Sequence, residues 1–200
     1  IEMKVEFASP DKVDTTVVRG NEIWSRRGFN LPDTEIDTSV LTKKDRKDLE
    51  YALTKKPVYV AISFVQKPED VAEVRDFITQ RTSHPIKIIA KIERPNAVDR
   101  ITDIAAAADG IMIARGDLAV EVPYAEVPAI SRHIIRECRK MNRPVIVATQ
   151  MLGTMINSEF PTRAEITDVS NAAYLRADST MTSEETTMGI NPVNVINTMY

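Results

Sequence analysis

Short runs of Val and Ile, apolar on both faces, recur about every 30 residues with an amphipathic stretch between them, which is the spacing of βα units. The runs are Val58–Phe64, Ile86–Ile92, Gly110–Ala114 and Pro144–Thr149, with the more polar Ser179–Ser183 as a fifth. Strands apolar on both faces belong in a parallel sheet covered on two sides. The stretches between them carry helix starts. Pro68 opens Glu69–Arg81, with Val71, Val74, Phe77 and Ile78 on one stripe, and Pro95 opens a helix striped by Val98, Ile101 and Ile104. Ile130, Ile134 and Cys138 mark a third, and Thr162-Arg-Ala-Glu165 reads as a capping box before Ile166, Val169 and Ala173. An earlier helix starts at Thr42 to Asp45 and runs through Lys55. This alternation predicts an α/β architecture, barrel or open sheet. Residues 1–30 differ: Met3–Phe7 and Val13–Trp24 alternate loosely around Arg19-Gly20-Asn21, which reads as a hairpin turn. Leu31-Pro32-Asp33 reads as a linker.

Composition excludes several classes. Hydrophobic residues make up 43% of the 200, enough for a core, and the net charge of −3 offers no basic field for nucleic acid or membrane. No apolar run approaches the roughly 18 residues of a membrane span, and Ile1-Glu2-Met3-Lys4 lacks the shape of a signal peptide. One cysteine, Cys138, fits a reducing cytosol and is expected as a buried helix thiol. The six glycines form no phosphate-binding loop of standard spacing. His84 and His133 stand far apart, which removes histidine triads and leaves both to packing or surface. Lys43-Lys44 and Lys55-Lys56 read as solvated helix faces, and Met151 and Met155 as core packing.

The candidate chemistry lies where the apolar runs end. Lys91 and Glu93 are two apart and would leave one strand on the same face, with Asp117 emerging from the next. A cation and two carboxylates there suit a divalent metal and a phosphorylated ligand. Taken singly, Lys91 and Glu93 could be a surface ion pair, Asp117 a turn cap after Gly116, and Thr149 a plain β-branched strand residue. Phase argues otherwise: Ser63, Lys91, Asp117, Thr149 and Ser183 close successive strands and so share the rim where barrel active sites sit. Periodicity does not choose the reaction.

Several strings carry a resemblance. Ile-Ala-Lys91-Ile-Glu93-Arg, Gly110-Ile-Met-Ile-Ala-Arg-Gly-Asp117-Leu-Ala-Val-Glu-Val-Pro123, Pro144-Val-Ile-Val-Ala-Thr149-Gln-Met-Leu152 and Pro161-Thr-Arg-Ala-Glu165 resemble the central motifs of pyruvate kinases. Ser25-Arg-Arg-Gly-Phe-Asn-Leu-Pro32 resembles the family's re-entry from its small β domain, and Ser63-Phe-Val the end of its fourth barrel strand. The resemblance implies a partial TIM (β/α)8 barrel, about strands 4–8, over residues 31–200, and a hairpin remnant of the small β domain over 1–30. It implies phosphoryl transfer from phosphoenolpyruvate to ADP, giving pyruvate and ATP in cytoplasmic glycolysis. Lys91 would be the catalytic cation, Glu93 and Asp117 the Mg²⁺ ligands, and Gly116, Asp117, Thr149 and Lys91 the substrate contacts. K⁺ is also implied, although its ligands, the substrate arginine and much of the nucleotide site belong to units that precede these in the family.

The chain departs from the family pattern in its last third. Where the family has apolar-Met-Leu-Ser-Gly-Glu-Thr-Ala, Thr180-Met-Thr-Ser-Glu184-Glu-Thr-Thr187 stands, and Leu175-Arg176 occupies a turn that usually holds glycine. Five strands cannot close an eight-stranded barrel, so exposed edges leave self-association into a homo-oligomer open. Three readings follow: a pyruvate kinase, a non-catalytic relative that still binds Mg²⁺ and a phosphoenolpyruvate-like anion, or a metal-dependent lyase acting through pyruvate enolate. The 200 residues alone are expected not to form ATP unless the first three strands are supplied.

Overall fold

The computed structural model describes residues 1–22 and 39–200. It divides into two units, Ile1–Leu31 and Pro32–Tyr200. The described part of the first is a hairpin of β1 (Glu2–Ser9) and β2 (Lys12–Arg19), paired antiparallel from Glu2↔Arg19 to Ser9↔Lys12. The turn is therefore Pro10-Asp11, not Arg19-Gly20-Asn21. Proline presets the backbone angle that the first turn position needs, and Ser9 Oγ donates to the Lys12 carbonyl at 3.1 Å to brace it. Gly20, with φ +110°, only ends the second strand. Residues 23–38, with Ile23, Trp24, the expected linker and the Ser25–Pro32 string, lie outside the described residues.

The second unit is a five-stranded parallel sheet in chain order: β3 (Tyr59–Ile62), β4 (Lys87–Ile92), β5 (Gly110–Ala114), β6 (Val145–Ala148) and β7 (Ser179–Met181). Registers include Ile62↔Ala90, Ile92↔Ile113, Ala114↔Ala148 and Ala148↔Met181, so the strand ends are level across the sheet. β3 and β7 do not pair with each other, and the described strands leave the barrel open. Burial follows position: every residue of central β5 is buried, while β3 and β7 at the edges are half-exposed. The fifth run is shorter than expected, because Thr182 and Ser183 have no ladder partners beyond Met181.

The crossovers are helical. α1 (Lys43–Leu53) precedes β3, and α2 (Pro68–Thr79) follows it. The stretch expected as one helix from Pro95 is two, α3 (Pro95–Asp99) and α4 (Ile101–Ala107), divided at Arg100, whose φ −103°, ψ 18° is not helical. α5 (Arg115–Glu121) starts directly after β5, so Asp117 lies in a helical first turn and not on a strand end. α6 (Val127–Lys140) and α7 (Arg163–Tyr174) follow, then α8 (Glu184–Thr187) and α9 (Pro192–Met199). Capping boxes at Thr42/Asp45 and Thr162/Glu165 close the starts of α1 and α7.

The stripe Val71, Val74, Phe77 and Ile78 is buried, as are Ile101, Ile104, Ile134, Met151 and Met155. Cys138 is buried too, and its thiol is pushed up to about 12 by burial, with Glu137 and Asp178 adding to the shift. α7 is rotated from the expected stripe: Ala172 is inside and Val169 packs against the core, while Ile166 and Ala173 are exposed. Two polar anchors set its rotation. Glu165 accepts from the Thr154 amide at 2.7 Å, and Asp168 pairs with Arg115 at 2.7 Å. Positions 165, 168 and 172 share a helix face, which turns 166 and 173 about 100° away.

One device occurs twice at the opposite rim. Asp109, just before β5, accepts from the Ile88 amide at 2.8 Å and donates its own N–H to the Ile88 carbonyl at 2.9 Å. Asp178, just before β7, does the same with Val145, at 2.8 and 3.0 Å. Each aspartate locks the entry of its strand to the neighbouring strand.

Candidate functional site

The level registers bring the ends of β3 to β6 to one rim. Lys91 is the penultimate residue of β4 and Glu93 follows the strand. Their side chains meet with Nζ 2.6 Å from Oε1. This is no surface pair, since Glu93 is 1% exposed and Lys91 24%. Lys91 Nζ also donates to Ser63 Oγ at 3.0 Å, and the Phe64 amide donates to Glu93 Oε2 at 2.6 Å. Glu93 Oε1 is buried and has no hydrogen bond beyond the ion pair. Phe64 holds φ +56°, with the Arg94 guanidinium 5.6 Å from its ring centre.

The second cluster joins the ends of β5 and β6. The Gly116 amide donates to Thr149 Oγ1 at 2.8 Å. Thr149 and Gln150 have φ +68° and +54°. Left-handed backbone at a β-branched residue costs on the order of 1–3 kcal/mol and persists only where the surroundings hold it.

Arg115 does the holding. Its Nη2 donates to the Thr149 carbonyl at 2.6 Å, its Nε to the Ala148 carbonyl at 3.2 Å, and its Nη1 to both Asp168 oxygens at 2.9 and 2.7 Å. Sequence reasoning quoted Arg115 inside a motif and gave it no role. The available signal was a charged residue directly after a wholly apolar strand.

Asp117 is half-buried and makes no hydrogen bond or ion pair among the described residues. The structure therefore joins Lys91 to Glu93 and Gly116 to Thr149, while the Asp117 carboxylate bonds to neither cluster. Ser183, expected on the same rim, gives its amide to Glu185 Oε2 at 2.7 Å, and Glu184 is exposed. Among the described residues no three His, Cys, Asp or Glu side chains group closely enough for an all-protein metal cage. Glu93 and Asp117 carry carboxylate oxygens of the kind Mg²⁺ takes alongside water and substrate, and the buried Glu93 Oε1 is held by Lys91 Nζ at 2.6 Å.

The family model for the pyruvate kinase barrel domain matches residues 1–196. The chain belongs to the pyruvate kinase family. It is 47% identical over 191 residues to a pyruvate kinase of Agrobacterium vitis, covering 96% of this chain and 40% of that protein. It is 41% identical over 199 residues to one of Clostridium perfringens, covering 100% and 42%. A crystal structure of a pyruvate kinase from Cryptosporidium parvum superposes with a TM-score of 0.82 at 40% identity, over 85% of this chain and 36% of that one. The chain thus spans about 40% of the length of such relatives. Fold and transferase family both follow: this is pyruvate kinase barrel, with the sheet and crossovers described above.

Proposed function

We propose that this chain supplies the phosphoenolpyruvate half of a pyruvate kinase active site, for phosphoryl transfer to ADP in cytoplasmic glycolysis. The observation that supports this reading best is the buried Lys91–Glu93 pair at the same rim as the strained Thr149 against Gly116. In the reaction the bond from phosphorus to the enol oxygen breaks and one to an ADP β-phosphate oxygen forms. The enolate left behind takes a proton on carbon to become pyruvate. Such a transfer needs positioning and charge stabilisation and no protein nucleophile.

Lys91 would neutralise the transferring phosphoryl group and the enolate oxygen, held in place by Ser63 and Glu93. The amides of Gly116 and Asp117 and the Thr149 hydroxyl would take the substrate carboxylate. In the ligand-free arrangement Thr149 Oγ1 accepts from the Gly116 amide at 2.8 Å; a bound carboxylate would take that amide in its place, and the Thr149 hydroxyl would donate its own proton to it. Glu93 and Asp117 would hold Mg²⁺, which when bound supplies further positive charge to the substrate oxygens. ADP, ATP and K⁺ would be held chiefly by family elements other than these. Residues 1–30 are read as small-domain remnant and 31–200 as partial barrel. No described helix is long and apolar enough to cross a membrane.

The test is a lactate dehydrogenase-coupled assay of the full-length gene product that carries these residues. Turnover that requires phosphoenolpyruvate, ADP and Mg²⁺, and falls about 10²–10³-fold in Lys91→Met, is expected. Glu184 in place of the family's glycine favours a second reading, a non-catalytic relative. Tight Mg²⁺–oxalate binding without turnover would establish that reading and overturn the first.

A further inference from the structure

Nothing in the proposed chemistry uses Arg115, yet its side chain is only 12% exposed and every arm of its guanidinium is engaged. Its partners divide into two sets. Nε and Nη2 grip the consecutive carbonyls of Ala148 and Thr149, with Nη2 also meeting Met151 Sδ at 2.8 Å, and Nη1 is fixed by Asp168 from α7. The gripped carbonyls flank the backbone turn at which Thr149 becomes left-handed. That turn aims the Thr149 hydroxyl at the Gly116 amide, one residue along from Arg115 itself. One planar fork thus sets both halves of a two-donor cradle.

We propose that Arg115 is a positioning residue for the substrate's carboxylate, holding Thr149 left-handed so that its hydroxyl and the Gly116 N–H converge, with Asp168 fixing the fork. The proposal rests on the phosphoenolpyruvate reading above. Lysine cannot replace it, because an ammonium on a flexible stem lacks three fixed, diverging donor directions. The competing account is a staple that merely ties α7 to β6, with no bearing on ligand affinity. Removing the guanidinium need not unfold the chain. Asp168 is 37% exposed, and beside the pair lies a cavity of about 40 Å³, lined also by Val127, Ser131 and Asn171, with room for water.

The experiment compares Arg115→Lys, Arg115→Ala and Asp168→Asn in the full-length gene product. Amide exchange reads the cradle directly. The Gly116 amide should exchange about tenfold faster in both Arg115 variants, while Ile113 in β5 keeps its protection. Steady-state kinetics read the ligand: KM for phosphoenolpyruvate should rise about tenfold or more with KM for ADP unchanged, and methylguanidinium should restore part of the loss in Arg115→Ala. Asp168→Asn, which keeps a neutral acceptor, should show the same pattern more weakly. Unchanged Gly116 exchange overturns the proposal, as does a parallel rise of both KM values that tracks a lower melting temperature. If the wild type itself fails to consume phosphoenolpyruvate, the reaction is wrong. The positioning role is then judged on exchange and on Mg²⁺–oxalate affinity, which must still fall about tenfold.

Discussion

Replacing Lys91 with Met removes the ammonium 2.6 Å from Glu93 Oε1 and strands a carboxylate that is 1% exposed, with one remaining hydrogen bond from Phe64. Breaking a buried pair from one side costs about 3–5 kcal/mol, and the partial exposure of Lys91 places this case near the lower end. In a unit of this size about 3 kcal/mol lowers the melting temperature by about 6–12 °C. Glu93→Gln keeps an oxygen for the Phe64 amide and leaves an ammonium that still reaches Ser63 and water, so about 1–2 kcal/mol is expected. Lys91→Met/Glu93→Gln removes both charges from the same space and should cost only about 1–2 kcal/mol, a coupling of about 3 kcal/mol. Urea denaturation of the four proteins measures each corner, with unchanged m-values required for the comparison. Single costs that add to the double within about 0.5 kcal/mol would show that the two charges do not depend on each other, and the buried-pair argument would fall.

Four further outcomes are expected. Arg176 is left-handed at φ +62°, exposed, and sits in a closing turn where Arg176 donates to the Ala173 carbonyl at 2.9 Å and Ala177 to Ala172 at 3.1 Å. Arg176→Gly should therefore gain about 0.5–1 kcal/mol in denaturant titration, while Gly at helical Tyr174 should lose a similar amount. A Cβ on Gly189 would lie 1.9 Å from the Glu185 carbonyl oxygen, so Gly189→Ala should cost about 3 kcal/mol, and a melt matching the wild type would refute that crowding.

Burial raises the Asp109 carboxyl, but the Ile88 amide and Arg75 outweigh it and hold the group below its ordinary 3.8. Its contribution is complete above that value and lost as pH falls through the lower folded one, so Asp109→Asn should flatten the loss of stability that sets in as pH falls below 3.8. Mg²⁺ with oxalate at about 100 times the dissociation constant should stabilise the fold by about 2.7 kcal/mol, and equal stabilisation of Lys91→Ala and Asp117→Ala would count against the site.

The three inner strands were legible because burial on both faces leaves few polar positions to confuse the pattern. Elsewhere competing signals won. Gly20 drew the hairpin turn away from Pro10-Asp11, where proline geometry set it. On α7, apolar periodicity nominated Ile166, Val169 and Ala173; Val169 packs inward, but Glu165 and Asp168, reaching partners 11 and 53 residues distant, rotate the helix so that the other two are exposed. Lys91 and Glu93 could be read from spacing two along one strand. A charge directly after an apolar strand marked Arg115 but not its role, because two of its acceptors are backbone carbonyls 33 and 34 residues away, and a carbonyl leaves no trace in a sequence.

The two site clusters share a construction that accounts for their buried charges. Phe64 and Thr149, closing β3 and β6, are both left-handed, and each is held by a charged residue from the end of an adjacent strand. Glu93 accepts the Phe64 amide, and Arg115 donates to the Thr149 carbonyl. A neutral side chain could make one such bond, but charge-assisted bonds are about twice as strong and so can hold a bent strand end against its local preference. Because the strained residue and its charged partner lie on neighbouring strands, each cluster spans a strand pair whose register is already set by the ladder. The geometry at the rim is then fixed by contacts among β3 to β6 and α7, and its precision depends on the Glu93 charge staying dry and on the Arg115 fork keeping its carbonyl partners. Substitutions that admit water beneath either one should loosen the site before they unfold the sheet.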